Sequence, residues 1–347
     1  MATQPEAIAG EALEEPVQRS APAPLDEPRP PRSGWRVVAE KEFGDGVLSV
    51  RMFVLLALVG LVAVGTVYST AAYVSGNAQG AATLPSLFVL IFAHQDPNSQ
   101  VPSFVVALGF LGPLFGIIFG FDAINSERSE RTLSRLVAQP IYRDAVIIGK
   151  FVARLAVIGG VLLAIILMVS AVSFIRLGVT VGPEEIVRVA VWFVVALAYF
   201  GVWLGFAMLC SVLFRSAAAA IMAAIGVWIV MIIFVFMAGA LASLLAPVPA
   251  NASLDQQTAN AQLQLDLSEL APFTLYTEAS AYILDPTVQT VGIIPADQAN
   301  NQQAFPTHLS AVQSLLLAWP QVVALIALSV GIFGLAYVGF MRQEVRA

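Results

Sequence analysis

Between two strongly apolar stretches lies a charged segment, residues 121–151, with the sequence FDAINSERSERTLSRLVAQPIYRDAVIIGKF. The stretches on either side of it carry almost no charge. A polar segment held between two apolar ones must leave the hydrocarbon layer of a membrane, because charged side chains are costly there. It is therefore where such a chain can meet a soluble partner. Its charged residues are Asp122, Glu127, Arg128, Glu130, Arg131, Arg135, Arg143, Asp144 and Lys150.

The composition predicts an all-α integral membrane protein. Of 347 residues, 58% are apolar and 12% are charged, whereas soluble domains contain about 25% charged residues. The mean hydropathy is +0.82. Apolar runs of about 20 residues cross a bilayer as helices, since each backbone polar group is then hydrogen-bonded within the segment. The runs predict six transmembrane helices, at residues 52–74, 101–121, 146–175, 186–214, 217–245 and 314–341.

Two further segments precede the first predicted span. Residues 1–34 contain seven prolines and too little apolar surface to fold, so we predict a disordered cytoplasmic tail. From Trp35 onward, apolar residues recur at steps of three and four, with charged residues on the other face. This pattern predicts an amphipathic helix over residues 35–51 that lies in the headgroup layer. The membrane domain as a whole is predicted to cover residues 35–347.

The distribution of lysine and arginine predicts the orientation of the chain. Six spans place both termini and residues 122–145 on the same side of the membrane. Of the 17 basic residues, only Arg176 and Arg188 fall on the other side. Cytoplasmic loops carry the excess of basic residues in membrane proteins. We therefore predict a multi-pass protein of the plasma or inner membrane with both termini in the cytoplasm.

Glycines recur at intervals of four residues in two of the predicted spans. Such spacing lets helix backbones approach closely where no hydrophobic driving force exists between helices. We predict that these residues pack helices together, either within the chain or across a dimer contact, and the sequence leaves both readings open. They are Gly112, Gly116, Gly120, Gly201 and Gly205.

The pattern of residues 122–145 predicts two short helices joined by a turn. Leu133 and Leu136 fall on one face of the first helix, with charged residues around the other face. Glu127 and Arg131 have the acid-then-base order, four residues apart, that stabilises a helix. An apolar stripe on a cytoplasmic loop needs a protein partner or the headgroup layer, so this segment is a candidate docking site.

Residues 120–150 resemble the signature of the permeases of ABC-2-type ABC transporters, and look most similar to the branch associated with multicopper-enzyme maturation and gliding motility. The six-span layout agrees with that family over residues 35–347. Arg131 stands where the family usually has glycine. The positions that carry the resemblance are Gly120, Asp122, Ile124, Glu127, Thr132, Leu133, Leu136, Pro140, Ile141, Arg143, Gly149 and Lys150.

The resemblance implies a transmembrane domain like that of type V exporters, in which the loop between spans two and three is a coupling helix. It also implies a dimer with a second copy or a paralogue, surrounded by membrane lipid, and two cytosolic ABC ATPase subunits that bind ATP and Mg. The residues it assigns to ATPase coupling are Glu127, Arg128, Glu130, Arg131, Thr132, Leu133, Arg135, Leu136, Pro140 and Arg143.

No catalytic, cofactor or metal site is predicted on this chain. The phosphate-binding pattern GxxxxGK[ST] is absent, because Gly149 and Lys150 are followed by Phe151. ATP and Mg therefore belong on another polypeptide. Two isolated histidines, His94 and His308, are too few to hold a metal ion, and we expect no nucleic-acid partner.

The predicted spans carry no ionisable residue near their centres, which disfavours an ion-coupled transporter. With the ATP coupling that the resemblance implies, we expect export of an amphipathic or lipid-like substrate, or a conformational signal to the outer side. The polar contacts along such a route would be hydroxyls such as Thr66, Ser69 and Tyr199. A membrane scaffold that assembles an extracytoplasmic complex without transport is the main alternative, and an intramembrane enzyme is disfavoured.

Residues 246–313 form a polar extracytoplasmic segment, with 13 Asn and Gln residues and no Lys or Arg. Leu263, Leu267 and Leu270 suit a helix, whereas Leu263, Leu265 and Leu267 together alternate as in a strand. Residues 270–285 are apolar enough to lie on or dip into the outer interface. We predict an exposed cap over the exit, with docking of an extracytoplasmic partner as the alternative.

Overall fold

The computed structural model describes residues 34–76, 87–93, 101–129, 142–178, 181–249, 251–288 and 308–343. The predicted disordered tail lies outside these ranges, apart from Gly34. Within the described ranges the secondary structure is helical throughout, without a strand. The helices are α1 (Gly34–Val47), α2 (Val50–Gly76), α3 (Leu87–Ala93), α4 (Phe104–Gly120), α5 (Asn125–Ser129), α6 (Arg143–Leu177), α7 (Pro183–Leu213), α8 (Ala217–Leu245), α9 (Leu254–Ser268), α10 (Pro272–Leu284) and α11 (Ala311–Arg342).

Six of these helices, α2, α4, α6, α7, α8 and α11, are long and apolar enough to cross a membrane. The prediction of an all-α protein with six spans is therefore confirmed, with boundaries that move by a few residues. Local capping chemistry explains the observed starts. Pro183 opens α7, where its missing N–H costs nothing. The hydroxyls of Ser216 and Ser310 accept hydrogen bonds from the first turns of α8 and α11, as N-cap residues do.

Helix α7 lies at the centre of the fold and packs against α4, α6, α8, α10 and α11. Within the chain, 67% of the α4 and α7 spans is buried, whereas only 11% of the α8 span is. The apolar side chains of α8 therefore face outward, where the hydrocarbon of the bilayer or another protein would cover them.

The glycines of α4 allow its backbone to touch α7. A Cβ atom on Gly112 would clash with the Phe200 ring, and one on Gly116 would lie 2.5 Å from the backbone nitrogen of Leu204. Gly120 makes the same kind of approach one turn further along. Each of these positions has room for hydrogen only, so neighbours within the chain account for the spacing.

The glycines of α7 make the matching contact on its other side, with α11. A Cβ atom on Gly201 would lie 2.6 Å from the Ser329 hydroxyl oxygen, and one on Gly205 would lie 3.3 Å from the backbone nitrogen of Phe333. Helix α7 therefore has two close neighbours. The glycines of α4 allow the contact between α4 and α7, and Gly201 and Gly205 of α7 allow the contact with α11.

We expect Gly116→Ala to lower the free energy of unfolding by about 1–3 kcal/mol, the usual cost of overpacking. The added methyl group would meet the backbone of Trp203 and Leu204, which cannot rotate away as a side chain can. Thermal melting of the purified protein in lipid nanodiscs measures this effect. Gly226→Ala in α8 is the matched control, because nothing lies within 4 Å of a Cβ atom there. Equal melting temperatures for the two variants would contradict the proposed close contact.

Helices α9 and α10 form a hairpin that folds back alongside the spans. The Asn260 side chain donates to the Ala246 carbonyl at 2.7 Å, and Gln264 lies beside Gly239. Helix α9 therefore runs antiparallel along the end of α8. The strand alternative for Leu263 and its neighbours is wrong, since all of them lie in α9.

Helix α10 returns between α4, α7 and α11, antiparallel to α7. Its Tyr276 ring stacks on Tyr199, with 4.7 Å between centroids, about 24 Å along α7 from Pro183. Its other end, at Ile283, reaches Arg188 near the start of α7. The buried residues of α10 are Thr274, Leu275, Tyr276, Ala279, Ser280, Tyr282, Ile283 and Leu284.

The expectation of an exposed cap is therefore wrong for residues 272–284, which form a buried helix. Space for that helix comes from Gly109 of α4, where a Cβ atom would lie 2.7 Å from the Phe273 ring. The prediction that Tyr199 is a polar contact along an open substrate route is also wrong. Its side chain is fully buried and its hydroxyl donates to the Gly109 carbonyl at 2.6 Å. The Thr66 hydroxyl is likewise buried, and donates to its own helix.

Candidate functional site

Helix α1 lies directly on the first turns of α6, because glycine removes the side chain that would separate them. A Cβ atom on Gly149 would lie 2.7 Å from the Trp35 carbonyl oxygen and 2.8 Å from Val38. Instead of lying only in the headgroup layer, α1 thus has a protein surface to rest on. This packing places Glu42 of α1 next to Lys150 of α6.

Lys150 is the centre of an ion-pair cluster at this end of the helices. Its Nζ atom lies 2.6 Å from Glu42 Oε1 and 2.8 Å from Glu127 Oε1, and 3% of its side chain is exposed. Glu127 belongs to α5, directly before residues 130–141. One ammonium group therefore joins α1, α5 and α6.

Two arginines extend the cluster to α2 and to the end of α4. Arg154 lies 3.4 Å from a carboxylate oxygen of Glu42 and 3.4 Å from one of Asp122, and it donates to the Phe119 carbonyl. Arg51 lies 2.6 Å from the other oxygen of Asp122. Three acids and three bases thus balance, and the six side chains connect α1, α2, α5, α6 and the turn after α4.

The charge state of Glu42 follows from these neighbours. Burial alone would raise the pKa of its carboxyl group. The positive charges of Lys150 and Arg154, and the hydrogen bonds they donate, outweigh burial and lower the pKa below its ordinary value. Glu42 is therefore ionised at neutral pH, and the cluster is a network of charges rather than of neutral hydrogen bonds.

The turn between α4 and α5 is also fixed to the end of α7. The Ser211 hydroxyl oxygen accepts hydrogen bonds from the backbone N–H groups of Ile124 and Asn125, at 3.0 and 3.2 Å. All three residues are buried. The chain just before residues 130–141 therefore has a fixed position on the helix bundle.

The chain just after residues 130–141 is fixed in a different way. The Arg143 guanidinium donates to the Gln343 carbonyl at 3.1 Å and lies 5.8 Å from the centre of the Phe340 ring. The Gln343 side chain in turn donates to the Val212 carbonyl at 2.6 Å. The start of α6 is thus bound to the end of α11 and, through it, to α7.

Of the residues that the sequence assigns to coupling, the structure describes the side chains of two. Glu127 pairs with Lys150, and Arg143 binds Gln343. For Arg128 the structure describes the backbone alone. The remaining assigned residues lie outside the described ranges; they are Glu130, Arg131, Thr132, Leu133, Arg135, Leu136 and Pro140.

Sequence reasoning missed five members of the cluster as site residues, namely Glu42, Arg51, Asp122, Lys150 and Arg154. Lys150 and Asp122 belong to the motif that carries the family resemblance, which was a usable signal. No such signal marked Glu42 and Arg154, because their pairing depends on how α1 packs on α6.

A second polar centre surrounds Arg188, near the start of α7. From the sequence, Arg188 was noted only as one of two basic residues on the outer side. Arg188 is 2% exposed. Its guanidinium donates to the Ile283 carbonyl at 2.7 Å and to the Ser314 hydroxyl at 2.9 Å, and it also contacts the Leu309 carbonyl. Its charge is paired with Glu184 at 3.2 Å. Arg188 therefore ties α10 and the start of α11 to α7.

Groups suited to metal binding or nucleophilic chemistry are scarce in the described ranges. No cluster of three or more His, Cys, Asp and Glu residues there has an arrangement that could hold a metal ion. The free thiol of Cys210 is buried in the core. His94 lies outside the described residues.

Six helices long and apolar enough to cross a membrane, three of which meet the ion-pair cluster at one end, define a multi-pass membrane protein. Residues 36–345 match the model of the ABC-2 family transporter proteins, and the chain belongs to that family. It is accordingly a membrane subunit of an ABC transporter. A similar protein is the probable ABC transporter permease protein NosY of Stutzerimonas stutzeri, which is 25% identical over 210 residues. That alignment covers 57% of this chain and 66% of the length of the relative.

Proposed function

We propose that this chain is the permease subunit through which a separate cytosolic ABC ATPase drives export of an amphipathic or lipid-like substrate, or passes a conformational signal to the outer side. The observation that carries the proposal is the cluster around Lys150. It binds α1, α5 and α6 together next to residues 130–141, the segment assigned to coupling.

Contacts on both sides of residues 130–141 would let a force on that segment reach the helices. On one side Ser211 holds the turn before α5, and on the other Gln343 holds Arg143. A force on residues 130–141 would therefore move α4 and α6 with their partners, instead of being absorbed by loose chain ends. This is the property that coupling to an ATPase requires, since packed elements with discrete arrangements transmit a displacement.

ATP and Mg are assigned to the partner, with two ATPase subunits for each permease dimer. The dimer would be formed with a second copy of this chain or with a paralogue. The outward apolar surface of α8 suits contact with lipid or with that second permease. An extracytoplasmic partner would meet the polar residues of α9.

A substitution in the coupling stripe tests this function directly. We expect Leu133→Asp or Leu136→Asp to weaken the complex with the ATPase by at least about tenfold, because an unpaired charge at an apolar contact costs more than 1.4 kcal/mol. Co-purification and stimulated ATPase activity measure it. Ser134→Asp is the matched control, which adds the same charge outside the predicted apolar stripe. Full co-purification and full stimulation with Leu133→Asp would refute the coupling assignment and leave the membrane scaffold as the better reading.

We further propose that the chain lies in the plasma or inner membrane with the Lys150 cluster and both termini on the cytoplasmic side. In a Cys210→Ala background, Gln95→Cys and Gln257→Cys should react with an impermeant thiol reagent in intact cells. Ser20→Cys and Ser129→Cys should react only after permeabilisation. The excess of Lys and Arg at that end is the physical reason. Labelling of Ser129→Cys in intact cells would reverse the orientation.

A further inference from the structure

Pro113 leaves one backbone carbonyl of α4 without its usual hydrogen bond. In an α-helix the N–H of each residue donates to the carbonyl four residues earlier, so residue 113 would donate to Gly109. Proline has no N–H, and Pro113 lies inside α4, where it and Gly109 are both buried. Because the position is buried, another part of the protein must supply the missing donor.

Tyr199 of α7 supplies that donor. Its hydroxyl donates to the Gly109 carbonyl at 2.6 Å, and its side chain is fully buried. The Tyr199 ring also stacks on Tyr276 of α10, with 4.7 Å between centroids and 12° between planes. One hydrogen bond from α7 thus replaces the one that Pro113 removes from α4.

The two halves of α4 on either side of Pro113 are packed differently. The second half, residues 114–120, fits against the backbone of α7. A Cβ atom on Gly116 would lie 2.5 Å from the Leu204 nitrogen, and one on Gly120 would lie 2.9 Å from the Leu204 carbonyl oxygen. Contacts this close to a helix backbone keep the second half in place on α7.

The first half, residues 104–112, meets its neighbours mainly through aromatic rings. Phe104 contacts Trp192 of α7, with 6.1 Å between ring centroids, and Phe110 contacts Phe273 of α10, with 4.8 Å between them. Side-chain contacts of this kind can rearrange while helix backbones stay intact. The first half can therefore move once the hydrogen bond from α7 opens.

We propose that α4 bends at Pro113 between two conformations, and that the hydrogen bond from Tyr199 to Gly109 holds the closed one. In the open conformation this bond is broken and residues 104–112 turn away from α7, while residues 114–120 keep their contacts. Proline favours a bend at this point, because no helical hydrogen bond of residue 113 has to break. The hinge goes beyond the proposed function, since it is a property of this chain without its ATPase.

Distances between spin labels in the full-length protein in lipid nanodiscs test the proposal. In a Cys210→Ala background, Val101→Cys just before α4 and Val187→Cys on α7 provide two exposed labelling positions. Tyr199→Phe keeps the ring and removes the hydroxyl. It should raise the population of a second label distance by about fivefold, because the closed conformation loses one hydrogen bond of ordinary net strength.

Pro113→Ala is the control that separates a hinge from general loosening, because alanine restores the N–H that Gly109 lacks. In a Pro113→Ala background, Tyr199→Phe should leave the population of the second distance nearly unchanged. Pro320→Ala changes an exposed proline inside α11. In that background the effect of Tyr199→Phe should remain about fivefold.

A label pair within α7, Val187→Cys with Leu213→Cys, checks that this helix is intact. Its distance should stay at about 39 Å in every variant, as expected for two points on one straight helix. Label distances in Tyr199→Phe that match the wild type would overturn the proposal, as would an equal effect of Tyr199→Phe with and without Pro113→Ala. A changed distance within α7 would also overturn it, in favour of general loosening of the helices. None of these measurements needs an ATPase, so failure of the coupling assignment would leave their results unchanged.

Discussion

Replacing Lys150 with methionine is expected to lower the free energy of unfolding by about 3–5 kcal/mol, the cost of breaking a buried ion pair from one side. Methionine replaces the apolar stem of the side chain and is one atom shorter, so Glu42 and Glu127 lose the ammonium group that lies 2.6 and 2.8 Å from them. Denaturant titration and thermal melting in nanodiscs measure the loss. The variant should also lose ATPase stimulation if it is studied with its partner.

Arg51→Gln is the matched control for Lys150→Met. The distance from Arg51 to Asp122 is 2.6 Å, yet 45% of the Arg51 side chain is exposed, so this pair should contribute about 1 kcal/mol or less. Adding Glu127→Gln to Lys150→Met should recover part of the stability, because one uncompensated charge is removed. Similar losses for Arg51→Gln and Lys150→Met would contradict a special role for the buried ammonium.

The effect of Lys150→Met should depend on pH with a defined sign. Ion pairing lowers the pKa of Glu42, so its contribution to stability is present above the ordinary pKa and is lost as pH falls through the lowered value. The difference between wild type and variant should therefore shrink in acid.

Arg188→Met should cost about 3 kcal/mol or more, because buried hydrogen bonds to a charged group contribute about 1.5–3 kcal/mol each. The change removes the donor to Ile283 and Ser314. Hydrogen exchange should then rise in α10 and in the first turns of α11, while α2 stays protected. Arg188→Lys should not restore protection, since one ammonium group cannot reproduce the planar set of donors.

Glu184→Gln controls for the Arg188 charge itself. Glu184 is 57% exposed, and glutamine retains an oxygen that can accept from Ala311, as the carboxylate does. Stability should change by about 1 kcal/mol or less. Unchanged exchange in α10 for Arg188→Met would show that packing alone holds the hairpin.

The spans could be predicted from the sequence because their signal is local. Each of the six is an apolar run long enough to cross a bilayer, and each hydrogen-bonds within itself. Errors were confined to the ends, where Pro183 and Ser310 place the first turn a few residues earlier than hydropathy does.

The hairpin and the cluster could be predicted only in part, because both depend on contacts between distant residues. Residues 254–268 are polar enough to look like an exterior loop, and nothing local reveals that Gly109 leaves space for α10. Likewise, Lys150 lies within a recognisable motif, but its partner Glu42 is 108 residues away. Pairing at such separations is determined by the packing of helices, which one sequence does not report.

The hydrogen bond from Arg143 to Gln343 has a consequence for the order of assembly during translation. The two residues are 200 positions apart, and Gln343 follows the last span. Glu42 and Lys150 can pair as soon as α6 has been made, but Arg143 must wait until α11 has emerged from the ribosome and entered the membrane. Because chains fold from the N-terminus as they are synthesised, the start of α6 acquires its final support last. Nascent chains stalled before α11 should therefore protect Lys150 while leaving Arg143 open to modification.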